Sequence, residues 1–217
     1  MGVDIETYTT VTGLGTENGR IRNVRTDKGD IQANMVINCT GGHAADIAAM
    51  LGDDVPLFPE RHQILITEPV APVMKPMVMS ISRHFYVQQT PHGSVIMGIG
   101  DPNEPVSQNI CSSWQYLEQS AFLITQTLPA FRELRVVRQW AGLYDMSPDR
   151  HPIICESENA EGFITIAGFS GHGFMVAPRT AILAANHLTG QVDSLDIERF
   201  SIDRFRTGEL LVEPSVV

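Results

Sequence analysis

Residues 162–174 read Gly162-Phe163-Ile164-Thr165-Ile166-Ala167-Gly168-Phe169-Ser170-Gly171-His172-Gly173-Phe174, and the fold class is decided there. Gly162 to Ala167 is an apolar run of strand length. Gly168 to Gly173 is a glycine-rich turn. Phe174 to Leu188 has helical character and closes near Gly190, with Pro178 in its early turns, where a missing N–H costs least. An apolar strand that runs into glycines and then a helix is the pattern of a parallel α/β sheet. The pattern also occurs earlier: Met35-Val36-Ile37-Asn38-Cys39 ends at Thr40-Gly41-Gly42, and His43 to Leu51 follows as a helix. Ligands bind at such strand ends. Glycine lets the backbone approach a ligand, and a helix start offers unpaired N–H groups and a positive dipole end, which suits an anion or a developing negative charge. A tight strand-to-helix turn with no ligand fits the same residues.

Two sharper readings of the turn fail on spacing. The hydrolase elbow G-x-S-x-G needs glycine where His172 stands. The dinucleotide fingerprint G-x-G-x-x-G starts at Gly171-His172-Gly173 but meets Val176 in its third glycine position, and no strand with a terminal acid follows.

Outward from these segments the texture changes. Thr9 to Leu14 and Ile21 to Thr26 read as strands. They are joined by a turn at Glu17-Asn18-Gly19-Arg20 and followed by a second turn at Asp27-Lys28-Gly29-Asp30, which makes an antiparallel meander. Residues 56–110 carry most of the prolines and three strand-like runs, Gln63–Thr67, Phe85–Gln89 and Ser94–Gly98. Residues 112–128 form a helix with Ser112 or Ser113 as N-cap and Pro129 as the stop, and Arg135 to Tyr144 is a further strand. The expected organisation is α/β mixed with α+β: residues 1–58 and 150–217 in one domain, and a mixed-sheet domain of residues 59–149 inserted into it.

Composition excludes several functions. The 217 residues suffice for one or two domains, and 43% hydrophobic with 18% charged is an ordinary globular balance. The net charge of −10, with no Lys/Arg stripe, argues against nucleic acid as a partner. Three cysteines, Cys39, Cys111 and Cys155, with no C-x-x-C, suit a reducing cytoplasm. No apolar run is long enough to span a bilayer, and the first residues carry no signal peptide pattern. Seven histidines without H-x-x-x-H or H-x-H spacing give no metal site. Asp145 and Asp149 read as turn residues, Trp140 as a core aromatic, and Met74, Met77 and Met79 as core or interface packing residues.

Four segments in order, Val36 to Ala48, Arg61 to Pro69, Trp140 to Ile154 and Gly168 to Phe174, resemble the D-amino-acid oxidase/sarcosine oxidase superfamily of FAD-dependent oxidoreductases. The likeness extends from about Val3 to about Phe205 and is nearest to the β subunits of sarcosine oxidase and L-proline dehydrogenase. It implies FAD as cofactor and a C-terminal portion of a Rossmann-like FAD domain with an inserted substrate domain. It also implies a small amine or amino acid as substrate, and other subunits or a homo-oligomer as partners. By the same resemblance, Gly168, Ser170, Gly171, His172, Gly173 and Phe174 sit over the flavin's pyrimidine edge. Thr40, Gly41 and Gly42 pass the ribose and pyrophosphate, and Val11 borders the adenine. Hydride transfer leaves negative charge near the flavin N1 and C2 carbonyl, which helix N–H groups would stabilise.

The departures carry information too. Tyr144 stands where glycine-oxidase relatives carry a carboxylate-pairing arginine, and Met175 where monomeric sarcosine oxidases carry lysine. Arg83, Arg61 or a segment outside the sequence is left as the anchor, with His62 and His84 as further substrate-facing candidates or as structural histidines. The family's G-x-G-x-x-G does not occur in residues 1–40, so the chain is expected to be a partial one with poor FAD affinity alone. The rival expectation is a non-catalytic assembly or partner-binding module.

Overall fold

The computed structural model describes residues 2–193 and 195–211. They divide into two compact units, one formed by residues up to Phe58 with those from Asp145 onward, the other by Pro59–Tyr144.

The first unit opens with the expected meander, β1 (Val11–Glu17), β2 (Arg20–Thr26) and β3 (Gly29–Gln32), paired in antiparallel order. Asn18 and Gly19 have φ of 52° and 74°, the paired left-handed geometry of a type I′ hairpin turn. The second turn is tighter than the sequence suggests, because Gly29 and Asp30 already pair with Thr26 and Arg25. β4 (Val36–Asn38) follows, then a 3-10 turn over Gly41–His43 and helix α1 (Ala44–Ala49).

The second unit is a five-stranded sheet. It contains β5 (Phe58–Pro69), β6 (Val78–Ser80), β7 (Phe85–Gln89), β8 (Ser94–Ile99) and β9 (Val136–Met146), in the order β6-β7-β8-β5-β9. Helix α2 (Trp114–Thr127) covers one face. It starts at Ser113, whose hydroxyl accepts the Tyr116 N–H, and ends just before Pro129, as the sequence predicts. Leu65, Phe85, Val87, Val95 and Met97 meet Tyr116, Ile124 and Phe131 to form this unit's core. In β5, Gln63, Leu65 and Thr67 are buried and alternate with half-buried His62, Ile64 and Ile66, so the strand has a helix side and an uncovered side. Of the three methionines Met74 packs against the core, while Met77 and Met79 are exposed.

The chain then returns to the first unit through β10 (Ile153–Glu156), β11 (Phe163–Ala167), α3 (Gly173–Leu188) and α4 (Asp203–Thr207). The second sheet has the order β10-β11-β4, with β11 parallel to β4 and antiparallel to β10. Every residue of β11 is buried. Phe163 packs with Leu14, Ile21 and Ala48, while Ile164 and Ile166 pack with Leu183 and Ala184 of α3. Burial on both faces is why this strand reads as a continuous apolar run. Pro178 is the sixth residue of α3, beyond the helix's orphan N–H positions, so the helix forgoes the bond to the Phe174 carbonyl. Its position is therefore costlier than the sequence suggests. The fold class is the expected mixture of parallel and antiparallel sheet with helices. Among the described residues no helix is long and apolar enough to cross a membrane.

Candidate active site

Strands β4 and β11 are parallel neighbours, with Ile37 beside Ile164 and Asn38 beside Thr165. Both therefore end at the same edge of the sheet, and each delivers a glycine turn there: Thr40-Gly41-Gly42 from β4 and Gly168 to Gly173 from β11. The buried Asn38 amide ties this edge together. Its Nδ2 donates to the Ala44 carbonyl at 2.9 Å and to Thr165 Oγ1 at 3.3 Å, while its Oδ1 accepts the Thr40 hydroxyl at 2.7 Å. Gly41 has φ 57° and open space where a side chain would stand.

The second turn is held in a strained shape. Gly168, Ser170 and Gly171 have φ of 79°, 49° and 92°. A Cβ on Gly168 would crowd Leu57 at 3.0 Å and Ser147 at 3.3 Å, and the left-handed φ adds strain for any side chain, so the position favours glycine. The Asp145 carboxylate accepts the Gly168 N–H, the Asp145 carbonyl accepts the Ser170 N–H, and the Ser170 hydroxyl accepts the Ser147 N–H at 3.3 Å. Asp145 is thus a strand residue that buttresses the turn, not a turn residue. His172 caps α3 without a side-chain hydrogen bond. Among the described residues the N–H groups of Gly171, Gly173 and Phe174 have no partner. Phe174 is 97% exposed and Met175 70%. Behind the turn, Asp149 and Arg204 form a buried bidentate pair, and Arg204 spends its other N–H groups on the carbonyls of His151, Phe200 and Ser201.

Val11 lies at the start of β1, paired with Thr26, in the meander sheet rather than at the glycine edge. Among the remaining candidates, His62 and Tyr144 are brought together in the second unit. Their rings stack at 3.8 Å between centroids and 19° between planes. Glu60, which sequence reasoning missed, lies 2.8 Å from His62 Nε2. Burial first, and the Glu60 charge second, push the Tyr144 phenol up from its ordinary pKa. Tyr86 is pushed up to about 12 by burial, with smaller contributions from Tyr144 and Tyr116. It lies over Gly98, where a Cβ would fall 2.7 Å from its ring. Arg61 and Arg83 are turned elsewhere. Arg61 pairs with Glu104 at 2.7 Å and with the Cys111 carbonyl, and Arg83 donates to Thr127 of α2. Arg61 is thereby spent as a carboxylate anchor. His84 is exposed at the turn before β7, and Met175 belongs to the first unit.

A cavity of about 540 Å³ lies at the other ends of β4 and β11, beside Asn34, Met35, Gly162 and Phe163. Its charged side chains all have partners: Arg20 pairs with Glu161, His187 with Glu156, and Arg22 with Glu17 outside the lining and with the Asn34 amide oxygen within it. Among the described residues no group of three or more His, Cys, Asp or Glu is placed to hold a metal. The glycine edge fits one end of FAD: unpartnered N–H donors at a helix start match the acceptor edge of a flavin, and glycine leaves room for close approach.

Known proteins resemble this chain in sequence and in fold. The family described as FAD dependent oxidoreductase (DAO) matches residues 1–187. The chain is 30% identical over 214 residues to sarcosine oxidase subunit beta of Rhodobacter capsulatus, covering 98% of this chain and 51% of that protein. L-proline dehydrogenase from P. horikoshii superposes with a TM-score of 0.85 at 36% identity, over 94% of this chain and 55% of that one. Glycine oxidase from Geobacillus kaustophilus shares the fold, with a TM-score of 0.83 at 19% identity over 91% and 52% of the two chains. The chain thus spans about half the length of the curated relatives it matches.

Proposed function

The chain belongs to the FAD-dependent oxidoreductase (DAO) family, and from that premise we propose that it forms part of an enzyme that oxidises an amine or amino acid of the sarcosine, glycine or proline type. FAD, when bound, would supply the acceptor for a hydride leaving the carbon next to nitrogen. The chain's own contribution is binding and electrostatics. The N–H groups of Gly171, Gly173 and Phe174 would stabilise negative charge at the pyrimidine edge, while Asp145 holds the turn that aims them. Thr40, Gly41 and Gly42, at the neighbouring strand end, would line the path of the ribose and pyrophosphate, with Val11 toward the adenine. In the second unit the substrate would meet Tyr144 and His62. Three free cysteines suit a reducing compartment such as the cytoplasm. The single observation carrying this reading is the delivery of two glycine turns to one edge of the β4–β11 pair.

A second reading, an assembly module that holds no flavin alone, is favoured by the apolar face that α3 and β4 leave bare: Phe174, Met175 and Ile182 with Met35 and Ile37. Such a face suits another subunit or segment, in line with the subunit names of the relatives. An absorbance scan from about 300 to 550 nm, before and after adding FAD and removing the unbound fraction, separates the two. Retained flavin bands that bleach with an amine support the oxidoreductase. A flat spectrum both in the chain alone and in complex with any co-purifying subunit refutes it.

A further inference from the structure

The uncovered side of the β5–β9 pair carries a carboxylate, an imidazole and a phenol that take no part in the core. Glu60 and His62 are two residues apart in β5 and so share a face. An ionised carboxylate can only accept, so the 2.8 Å contact to Glu60 places the ring hydrogen on Nε2. The neutral ring then keeps a bare lone pair on Nδ1, and no described group meets it. Tyr144, stacked on the ring, fixes its plane. The His62 and Glu60 side chains are 26% and 32% exposed, so a solute can reach them while much of the surrounding water is excluded.

The arginines that would draw a carboxylate are not on this spot. Arg61 and Arg83 serve Glu104 and Thr127. Arg138 is held over Trp140, roughly 20 Å along β9 from Tyr144 at the usual strand rise. What remains is one acceptor lone pair backed by a negative charge and bordered by an aromatic ring. That arrangement complements a cationic N–H donor, not a carboxylate.

We propose that Glu60, His62 and Tyr144 form an amine-recognition site. His62 Nδ1 accepts a hydrogen bond from the N–H of a primary or secondary amine, and Glu60 sets the tautomer and supplies the countercharge. The proposal rests on the reading above that an amine is the substrate, and it adds the residue that selects it. A quaternary ammonium has no N–H to give and is refused this bond.

The test uses the full chain with ¹⁵N-labelled histidine at about pH 8. Sarcosine, L-proline and glycine betaine are the probes, and His62→Asn identifies the signal. Sarcosine and L-proline are expected to move the His62 Nδ1 resonance saturably, and betaine to leave it in place. Glu60→Gln should weaken the response about tenfold or more, the loss expected for a charge-assisted partner. No response to either amine, or an equal response to betaine, overturns the site. Amine oxidation without a His62 response would sink the site and leave the oxidoreductase reading. A His62 response with no flavin reduction by any amine would do the reverse.

Discussion

The carboxylate of Asp145 accepts the backbone N–H of Gly168 at 2.7 Å. This bond joins the end of β9 to the turn that opens α3, across 23 residues of sequence. Asp145→Ala leaves the N–H unpaired in a half-buried place, at a cost of about 1–3 kcal/mol. Amide exchange in β11 should report it, because both tryptophans, Trp114 and Trp140, lie in the other unit. Asp145→Asn keeps an acceptor oxygen and should cost less. Equal exchange rates in wild type and Asp145→Ala would show that the bond does not hold the turn.

Arg204 and Asp149 form the most buried ion pair described, with side chains 5% and 2% exposed. Arg204→Met strands the Asp149 charge and should destabilise the first unit by about 3–5 kcal/mol. Burial acts to raise the Asp149 pKa, but hydrogen bonds from Arg204, His151 and Leu211 outweigh it, and the net shift is downward. A lowered folded pKa gives stability that is complete above the ordinary carboxylate value near 4 and is lost as pH falls through the folded value. Acid titration of β11 amide exchange should therefore show a loss of protection beginning near pH 4, and Asp149→Asn should flatten it.

Tyr86 carries the opposite dependence. Its pKa is pushed up to about 12 by burial, then by Tyr144 and Tyr116. The folded unit retains the phenolic proton over the range from about 10 upward, where the unfolded chain releases it. Stability of the second unit should fall as pH rises through that window. Tryptophan fluorescence during urea unfolding at several alkaline pH values measures it directly. Tyr86→Phe should reduce the slope and leave the part that the raised phenols of Tyr116 and Tyr144 carry; an unchanged slope would place the titration in those two alone.

Phe174 is a large apolar residue with almost no protein contact. Phe174→Ser should change the chain's own stability by no more than about 0.5 kcal/mol, as surface substitutions do. It should nonetheless weaken self-association or partner binding through the α3 face. Sedimentation velocity of the two forms over a range of concentrations decides the matter, and identical behaviour would remove Phe174 from any interface.

Features set by local chemistry could be read from the sequence. Asn18-Gly19 specifies its turn through backbone conformations that few other pairs adopt. Ser113 and Pro129 mark the ends of α2 because one supplies a cap and the other lacks a donor. The Gly168–Gly173 turn was visible because an all-buried strand runs straight into it. What escaped depends on distant partners. Asp145 looked like a turn residue because its bond to Gly168 leaves no local trace, and Arg204 meets Asp149 across 55 residues. Glu60 was missed because its importance comes from His62 stacking on Tyr144, a contact made between strands. β6 and β10, three and four residues long, are shorter than any periodicity can show.

The pairing of β5 with β9 has a kinetic consequence. Glu68, late in β5, bonds Arg135 just ahead of β9, while His62, early in β5, stacks on Tyr144 near the end of β9. The first and last residues of the second unit thus lie side by side. The parallel pairing of β4 with β11 has to close a loop that includes the 127-residue separation of Asn38 and Thr165. When the second unit folds first, most of that loop is already gathered within it, and the entropy of closure shrinks to that of the short arms outside it. The continuous stretch should therefore fold ahead of the interrupted one, and the glycine edge should be the last part of the chain to form.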